Sequence, residues 1–330
     1  MHPNQLRLGV AVSIAMVALA AALPTWAGEA ERHSQIIERL APQDRLAYLR
    51  QLVDQQQARA GASLAADVTG PSLLAFNAAS AINLGKSAAP FKVYAKMSDD
   101  LSGASTMYFY ATGPSGQTAY VYAPSSFPAP TLSANLGFSP LNRMMEPGVW
   151  KFEYGYGYDG ADNYSVFDEA ALEALGNTVF TVTNNGGYDT TQPQLIDGKV
   201  LTPSVSLASV LPGTTNKPTS AGVKVNLTDA GNTALAGVKS VTLYFCKLAD
   251  PNKCIYPSAS VYATGQASAA LTAGTEVSAA NGIATGTYEL RHVYVYDHAG
   301  NYSALYGTKF GGSTDFSTLF PGGTVIKVKP

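Results

Sequence analysis

Six aspartates fall where predicted strands run into turns: Asp99, Asp100, Asp159 and Asp162 in the first half of the chain, Asp229 and Asp297 in the second. Carboxylates gathered at strand ends, with backbone carbonyls beside them, make the hard oxygen shell that calcium takes. Each also suits the more ordinary task of accepting hydrogen bonds from the N–H groups of its own turn. A second chemistry is aromatic. Tyr154, Tyr156 and Tyr158 share one face of an alternating stretch, matched by Tyr294 and Tyr296 further on. If Trp150 and Phe152 point into a core, simple alternation buries these tyrosines with them. A bulge near Tyr154 would instead turn them outward and point Val293 and Val295 inward. Outward tyrosines would form an amphipathic platform for sugar rings or a protein partner. Both orientations stand open at this point.

The third chemistry is redox. Cys246 and Cys254 flank seven residues whose Asp250-Pro251-Asn252 centre is a turn signal, so two strands meeting there set the thiols opposite one another. A hairpin disulfide is predicted, and two thiols alone do not complete a tetrahedral metal site.

Catalytic patterns are weak by comparison. Gly155-Tyr-Gly157-Tyr-Asp-Gly160 has dinucleotide-fingerprint spacing, which needs a strand feeding a helix. The corresponding stretch around Val293 and Val295 alternates as a strand, so a strand and turn are expected here too. His33, His292 and His298 show no metalloprotease spacing, and no Gly-x-Ser-x-Gly elbow marks a nucleophile. Paired carboxylates converging from distant loops, as in glycoside hydrolysis, are not visible to motif reading. The chain is read as non-catalytic, with no cofactor beyond calcium.

The elements that position these residues follow from composition and repetition. The 330 residues allow two ordinary domains. Only 13% are charged and the formal net charge is −2, which argues against a disordered chain and against nucleic acid as a partner. Gly (31), Pro (19) and Tyr (19) favour many short strands joined by turns. Arg7, the apolar run Leu8 to Leu23 and the small residues before Gly28 predict a signal peptide cleaved after Ala27. No later stretch approaches the length needed to span a bilayer. Export to the periplasm, cell surface or medium is expected.

Trp150 to Ser165 and Tyr288 to Ser303 share an aromatic start, a Tyr-rich alternating run, a Tyr-Asp pair and an Asn-Tyr-Ser end. Upstream, Val93, Ala95, Met97, Ser98 and Asp99 match Val223, Val225, Leu227, Thr228 and Asp229. Thr178 to Thr183 and Thr324 to Lys329 close the two copies. Each copy reads as short alternating strands with turn signals between them, the pattern of a β-sandwich.

The order of motifs resembles the bacterial Ig-like modules of exported and cell-surface proteins over about residues 70–330. It is carried by Asp99-Asp100-Leu101-Ser102-Gly103, Gly148-Val149-Trp150, Asp297-His298-Ala299-Gly300-Asn301 and the linker Asp189-Thr190-Thr191-Gln192-Pro193. Copy one departs by placing Asp162 where the turn glycine stands, a residue that tolerates the left-handed conformation. The resemblance implies immunoglobulin-like sandwiches and does not settle function.

Before the sandwiches, Ile36, Ile37 and Leu40 precede Pro42, and Leu46, Leu49, Leu52 and Val53 recur at helical spacing. Two short helices broken near Pro42 are predicted, their apolar stripe packing on the first sandwich or joining a partner. The expected organisation is all-β: signal peptide 1–27, helical segment and linker 28–69, and two tandem Ig-like β-sandwiches at 70–188 and 189–330. The expected function is binding or structural, as an adhesin or envelope-associated scaffold whose partner is a protein or polysaccharide of the envelope or medium. A carbohydrate-binding protein using its tyrosine faces, or an accessory subunit of a secreted enzyme system, is the alternative.

Overall fold

The computed structural model describes His33, Ile37, Leu40 and residues 42–60, 67–84, 91–123, 128–136, 144–207, 219–279 and 283–330. The predicted signal peptide, and most of the first predicted helix, lie outside the described residues. The second is a 19-residue helix, α1 (Pro42–Ala60), which opens on proline. At that position the missing N–H has no intrahelical partner to lose.

The first sandwich holds β1 (Ser72–Ala78), β2 (Ala81–Asn83), β3 (Val93–Ser98), β4 (Ala104–Thr112), β5 (Thr118–Ala123), β6 (Thr131–Leu136), β7 (Gly148–Asp159), β8 (Tyr164–Asp168), the short helix α2 (Glu169–Leu175) and β9 (Val179–Thr183). One sheet runs β1-β3-β6 and the other β2-β9-β7-β4-β5, with β8 also paired to β7.

The second holds β10 (Gln194–Val200), β11 (Ser204–Ser206), β12 (Thr219–Thr228), β13 (Val238–Lys247), β14 (Asp250–Ile255), β15 (Ser258–Ser260), β16 (Ser268–Val277), β17 (Gly286–Asp297), β18 (Tyr302–Tyr306), α3 (Phe316–Leu319) and β19 (Val325–Lys329). Its strands repeat the first set, β10-β12-β16 facing β11-β19-β17-β13, with β18 on β17 as β8 is on β7. Short β15 pairs with both β13 and β16 and joins the two halves along one side. The chain is all-β with an Ig-like architecture, as the repeat predicts.

Each sandwich closes a core of its own. Phe76, Phe109, Trp150, Phe152 and Phe180 fill the first; Val241, Leu243, Phe245, Val293 and Val295 are among those filling the second. Removing one such side chain from water stabilises the fold by roughly 1.5–3 kcal/mol.

The parity of the tyrosine strands turns on one skipped residue in each copy. Tyr110 faces Tyr154 but the next residue, Ala111, faces Phe152, so Glu153 bulges out. Likewise Tyr244 faces His292 while Phe245 faces Leu290, and Arg291 bulges out. Trp150 and Phe152 therefore point inward, and beyond the bulge the inward positions pass to Gly155 and Gly157. A Cβ at Gly155 would collide with Phe109, and one at Gly157 with Met97. The sister strand puts Val293 and Val295 inward instead, with Val293 opposite the smaller Leu243. The three-glycine motif is thus strand and turn, with no helix to meet a pyrophosphate.

Cys246 and Cys254 are bonded and directly opposite in the β13–β14 hairpin, their Cα atoms 4.0 Å apart. The turn itself is formed by Leu248 and Ala249, while Asp250-Pro251-Asn252 lies in the bulged start of β14. That corrects the predicted turn centre, not the pairing.

Candidate functional site

Two features gather the predicted site residues: a pair of aspartate triads and a pair of tyrosine faces. In the first sandwich, carboxylate oxygens of Asp67, Asp99 and Asp159 lie within 4.8 Å of one another; in the second, those of Asp189, Asp229 and Asp297 do the same. The two are built alike. Asp297 Oδ1 accepts from the N–H of Gly300 (2.7 Å) and of Asn301 (2.8 Å), and Asn301 Nδ2 donates to Asp297 Oδ2 (2.6 Å) and to the carbonyl of Asp189 (2.8 Å). Asp159 Oδ1 accepts from Ala161 and Asn163, both at 2.8 Å, and Asn163 Nδ2 donates to Asp159 Oδ2 and to the carbonyl of Asp67. Asp99 and Asp229 each bind the N–H of the glycine that follows, Gly103 at 2.7 Å and Gly237 at 2.8 Å.

Asp162 and Asp100 were expected among possible ligands and fall outside both triads. Asp100 is exposed. Asp162 takes the left-handed turn position (φ 64°), as its place opposite Gly300 (φ 97°) predicts. Asp67 and Asp189, by contrast, were not expected there. The sequence signal for both is a short repeat: Asp67-Val-Thr-Gly-Pro71 and Asp189-Thr-Thr-Gln-Pro193 share an Asp-x-Thr-x-Pro frame.

Burial without a compensating positive charge raises the proton affinity of Asp159, Asp229 and Asp297. Asp297 is pushed up to about 8, first by desolvation, against the hydrogen bonds from Asn301, and further by the negative charges of Asp229 and Asp189. Asp159 rises to about 6, again mainly by desolvation. Asp229 rises through burial and the charge of Asp189. Carboxylates so close together hold either protons or a hard cation. The all-oxygen donor set suits calcium better than a softer metal.

The second triad also sits where the sandwiches meet. Gln117 at the β4–β5 turn is buried, donating to the carbonyl of Asp189 (2.8 Å) and accepting from the N–H of Glu146 (2.7 Å). Thr118 donates to Gly300 across the junction.

The tyrosines do turn away from the sandwich cores, as the bulge reading expects, yet they form no open platform. Tyr154, Tyr156, Tyr294 and Tyr296 are buried and Tyr158 is half-buried, because α1, Ile37 and Leu40 lie over them. Of the orientations left open by the sequence, the tyrosines point outward from the cores but are covered, so the binding platform is not exposed. Ring geometry adds a second reason. Tyr108 stacks on Tyr156 (centroids 4.8 Å, 12° between planes) and Tyr110 on Tyr154 (5.0 Å, 13°). The flat faces a sugar would need are spent on neighbouring rings.

Arg45 fastens the covering helix. Its guanidinium lies 4.8 Å from the ring centroid of Tyr110 and 5.9 Å from that of Tyr296, and its Nε donates to the carbonyl of Leu40 (2.9 Å). Burial works against the Arg45 charge, but Tyr296, Tyr154 and Tyr110 outweigh it and hold the proton more tightly than usual. Tyr294 donates to Asp44, and Tyr296 to the carbonyl of Leu40. Of the two expectations for the apolar stripe, packing on the first sandwich or joining a partner, the first holds, and the helix engages the second sandwich as well.

No family model matches the sequence, and no curated protein sequence matches it. Among solved structures, a DUF4785 family protein from Legionella pneumophila is similar over 70% of this chain and 53% of its own, at 14% identity and a TM-score of 0.24. The chain therefore spans about half of that protein's length. The chicken CNTN1 FN1–FN3 domains match over 71% of this chain and 67% of theirs, at 12% identity and a TM-score of 0.21. The CBD12 region of CALX1.2 matches over 78% and 99%, at 7% identity and a TM-score of 0.15. Among the described residues no helix is long and apolar enough to cross a membrane.

Proposed function

We propose that the chain is an exported, non-catalytic binding or structural protein, working in the periplasm, at the cell surface or in the medium as an adhesin or envelope-associated scaffold. The junction between the sandwiches is the observation that supports it most. Gln117 and Thr118 of the first sandwich donate hydrogen bonds to the carbonyls of Asp189 and Gly300 in the second, the Gln117 bond buried. A tandem body of this kind holds its end loops at a fixed separation, which suits attachment and display. The buried carboxylates point the same way. They are tied to turn N–H groups, where a general acid or base would need to reach a substrate.

Calcium in the two triads belongs to this reading as an element that stiffens the turns. Sugar binding by the tyrosine faces is disfavoured by their stacking and cover. An accessory subunit of a secreted enzyme system differs from an adhesin only in the partner.

The test is co-sedimentation of residues 28–330 with intact cells, peptidoglycan and insoluble polysaccharides, with the supernatant assayed for released sugar. Saturable sedimentation without release is expected for one of these materials, or capture of a defined envelope protein where none sediments. Released sugar would overturn the non-catalytic reading.

A further inference from the structure

Neither sandwich needs α1 to complete its core. The first core draws on residues from Phe76 to Val182 and the second on residues from Leu195 to Val328, and no side chain of the helix enters either. The helix is an added layer, laid across the outer faces of two sheets at once. Leu49 and Leu52 sit among Tyr108, Tyr110, Tyr154, Tyr156 and Tyr164 of the first sandwich. Leu40, just before the helix, sits among Tyr244, Tyr294 and Tyr296 of the second.

The chemistry of that contact is recognition by anchors more than bulk burial. The helix is polar overall, with acidic, basic and five glutamine residues among its apolar positions. Three of its polar side chains bind the trough specifically. Asp44 takes the hydroxyl of Tyr294, Arg45 spans Tyr110 and Tyr296, and Gln56 accepts from the N–H of Tyr164 (2.8 Å) while donating to the carbonyl of Val68 (3.0 Å). The tyrosines suit such a guest. In the first sandwich they stack ring against ring across β4 and β7 as an apolar floor, and in the second the hydroxyls of Tyr294 and Tyr296 donate to Asp44 and to the carbonyl of Leu40. Helix-in-groove docking uses this arrangement, with anchors on one helical face and polar contacts fixing register.

We propose that the tyrosine trough is a recognition site for an amphipathic helix, and that residues 42–60 are its intramolecular occupant. A partner protein displaces that occupant by supplying a helix with the same anchors, an arginine followed by leucines at the spacing of Arg45, Leu49 and Leu52. The inference rests on the binding reading only in taking the partner to be a protein.

The experiment uses the full mature chain with a specific protease site inserted after Gly61, cleaved once folded. The probe is a fluorescent synthetic peptide of residues 33–60, followed by anisotropy against the cleaved chain and against the intact one. Saturable uptake by the cleaved chain, one peptide per chain, is expected. The peptide carrying Arg45→Ala should bind about tenfold more weakly, having lost the cation–π and hydrogen-bond anchor. The intact chain should take up the wild-type peptide about a hundredfold more weakly than the cleaved one, because its tethered helix competes at high effective concentration.

Three outcomes would overturn the proposal: no uptake by a cleaved chain that keeps its circular dichroism and melting transition, equal uptake of the Arg45→Ala peptide, or loss of the sandwiches' melting transition once the segment is cut free. The sedimentation assay involves no peptide and no cleavage, so failure of the binding reading is recognised separately.

Discussion

Thr118 of the first sandwich donates both its backbone N–H and its hydroxyl to the carbonyl oxygen of Gly300 in the second, each at 3.2 Å. The approach is close enough that a Cβ on Gly300 would strike the carbonyl oxygen of Thr118, and the glycine sits at φ 97° besides. Gly300→Ala should therefore lower stability by about 1–3 kcal/mol and loosen the junction. Asp162→Gly, at the same turn position in the first copy (φ 64°), should change stability by under about 1 kcal/mol. Paired thermal melts of the two variants check the contrast. Equal losses would mean that the turn, and not the inter-sandwich contact, sets the requirement.

Two triads of one design predict two equivalent cation sites. Calcium titrated into the chelated protein by calorimetry should bind with a stoichiometry of two and raise the melting temperature. Asp189→Asn should halve the stoichiometry, since it removes one carboxylate of the second triad and leaves Asp67, Asp99 and Asp159 untouched. An unchanged melt on chelation would leave all six aspartates the turn-capping role alone.

Much of this architecture is legible in the sequence because it occurs twice. Matching Trp150–Ser165 to Tyr288–Ser303 identifies β7 and β17, dismisses the three-glycine motif and pairs Asp159 with Asp297. The third member of each triad escapes that comparison. Asp67 lies in a stretch whose Ala, Gly and Ser content reads as linker, and Asp189 in a joint between modules. The orientation of the tyrosines turns on a single bulged residue, Glu153 or Arg291, which a two-residue period cannot locate. The reach of α1 is hidden for another reason. Its stripe of Leu46, Leu49, Leu52 and Val53 accounts for one sandwich, while its hold on the other passes through Asp44 and Arg45, polar residues that hydrophobic patterning assigns to solvent.

His292 yields a pH dependence with a definite sign. Burial, and the positive charge of Arg291, lower it from the ordinary 6.5 to about 4. Its ring neighbours Tyr244 and Tyr294 have proton affinities raised by burial and carry no charge in this range. Between about pH 6.5 and 4 the unfolded chain takes a proton that the folded protein refuses, so this histidine's contribution to stability is lost as pH falls through that window. Above pH 6.5 it exerts no pH dependence. His292→Phe should flatten the acid side of the melting-temperature profile over that interval. A profile parallel to wild type would mean that the imidazole is protonated in the fold.

Gly155 and Phe109 face each other across β7 and β4, where the second copy sets Val293 against Leu243. Both pairs fill the same place in homologous cores, one with a large ring and no side chain, the other with two of middling size. Gly155→Val alone drives a branched side chain into the Phe109 ring and should cost about 1–3 kcal/mol of stability. Phe109→Leu alone removes volume from a filled core and should also destabilise, by leaving a cavity. Together they reproduce the second copy's pairing, so the double variant should recover most of both losses and give a favourable coupling of at least about 1 kcal/mol in a double-mutant cycle. Urea titrations of the four proteins measure it. Additive losses would mean that the neighbours of the two sites have diverged beyond this one exchange. Recovery would show that the two sandwiches solve one packing problem with interchangeable pairs.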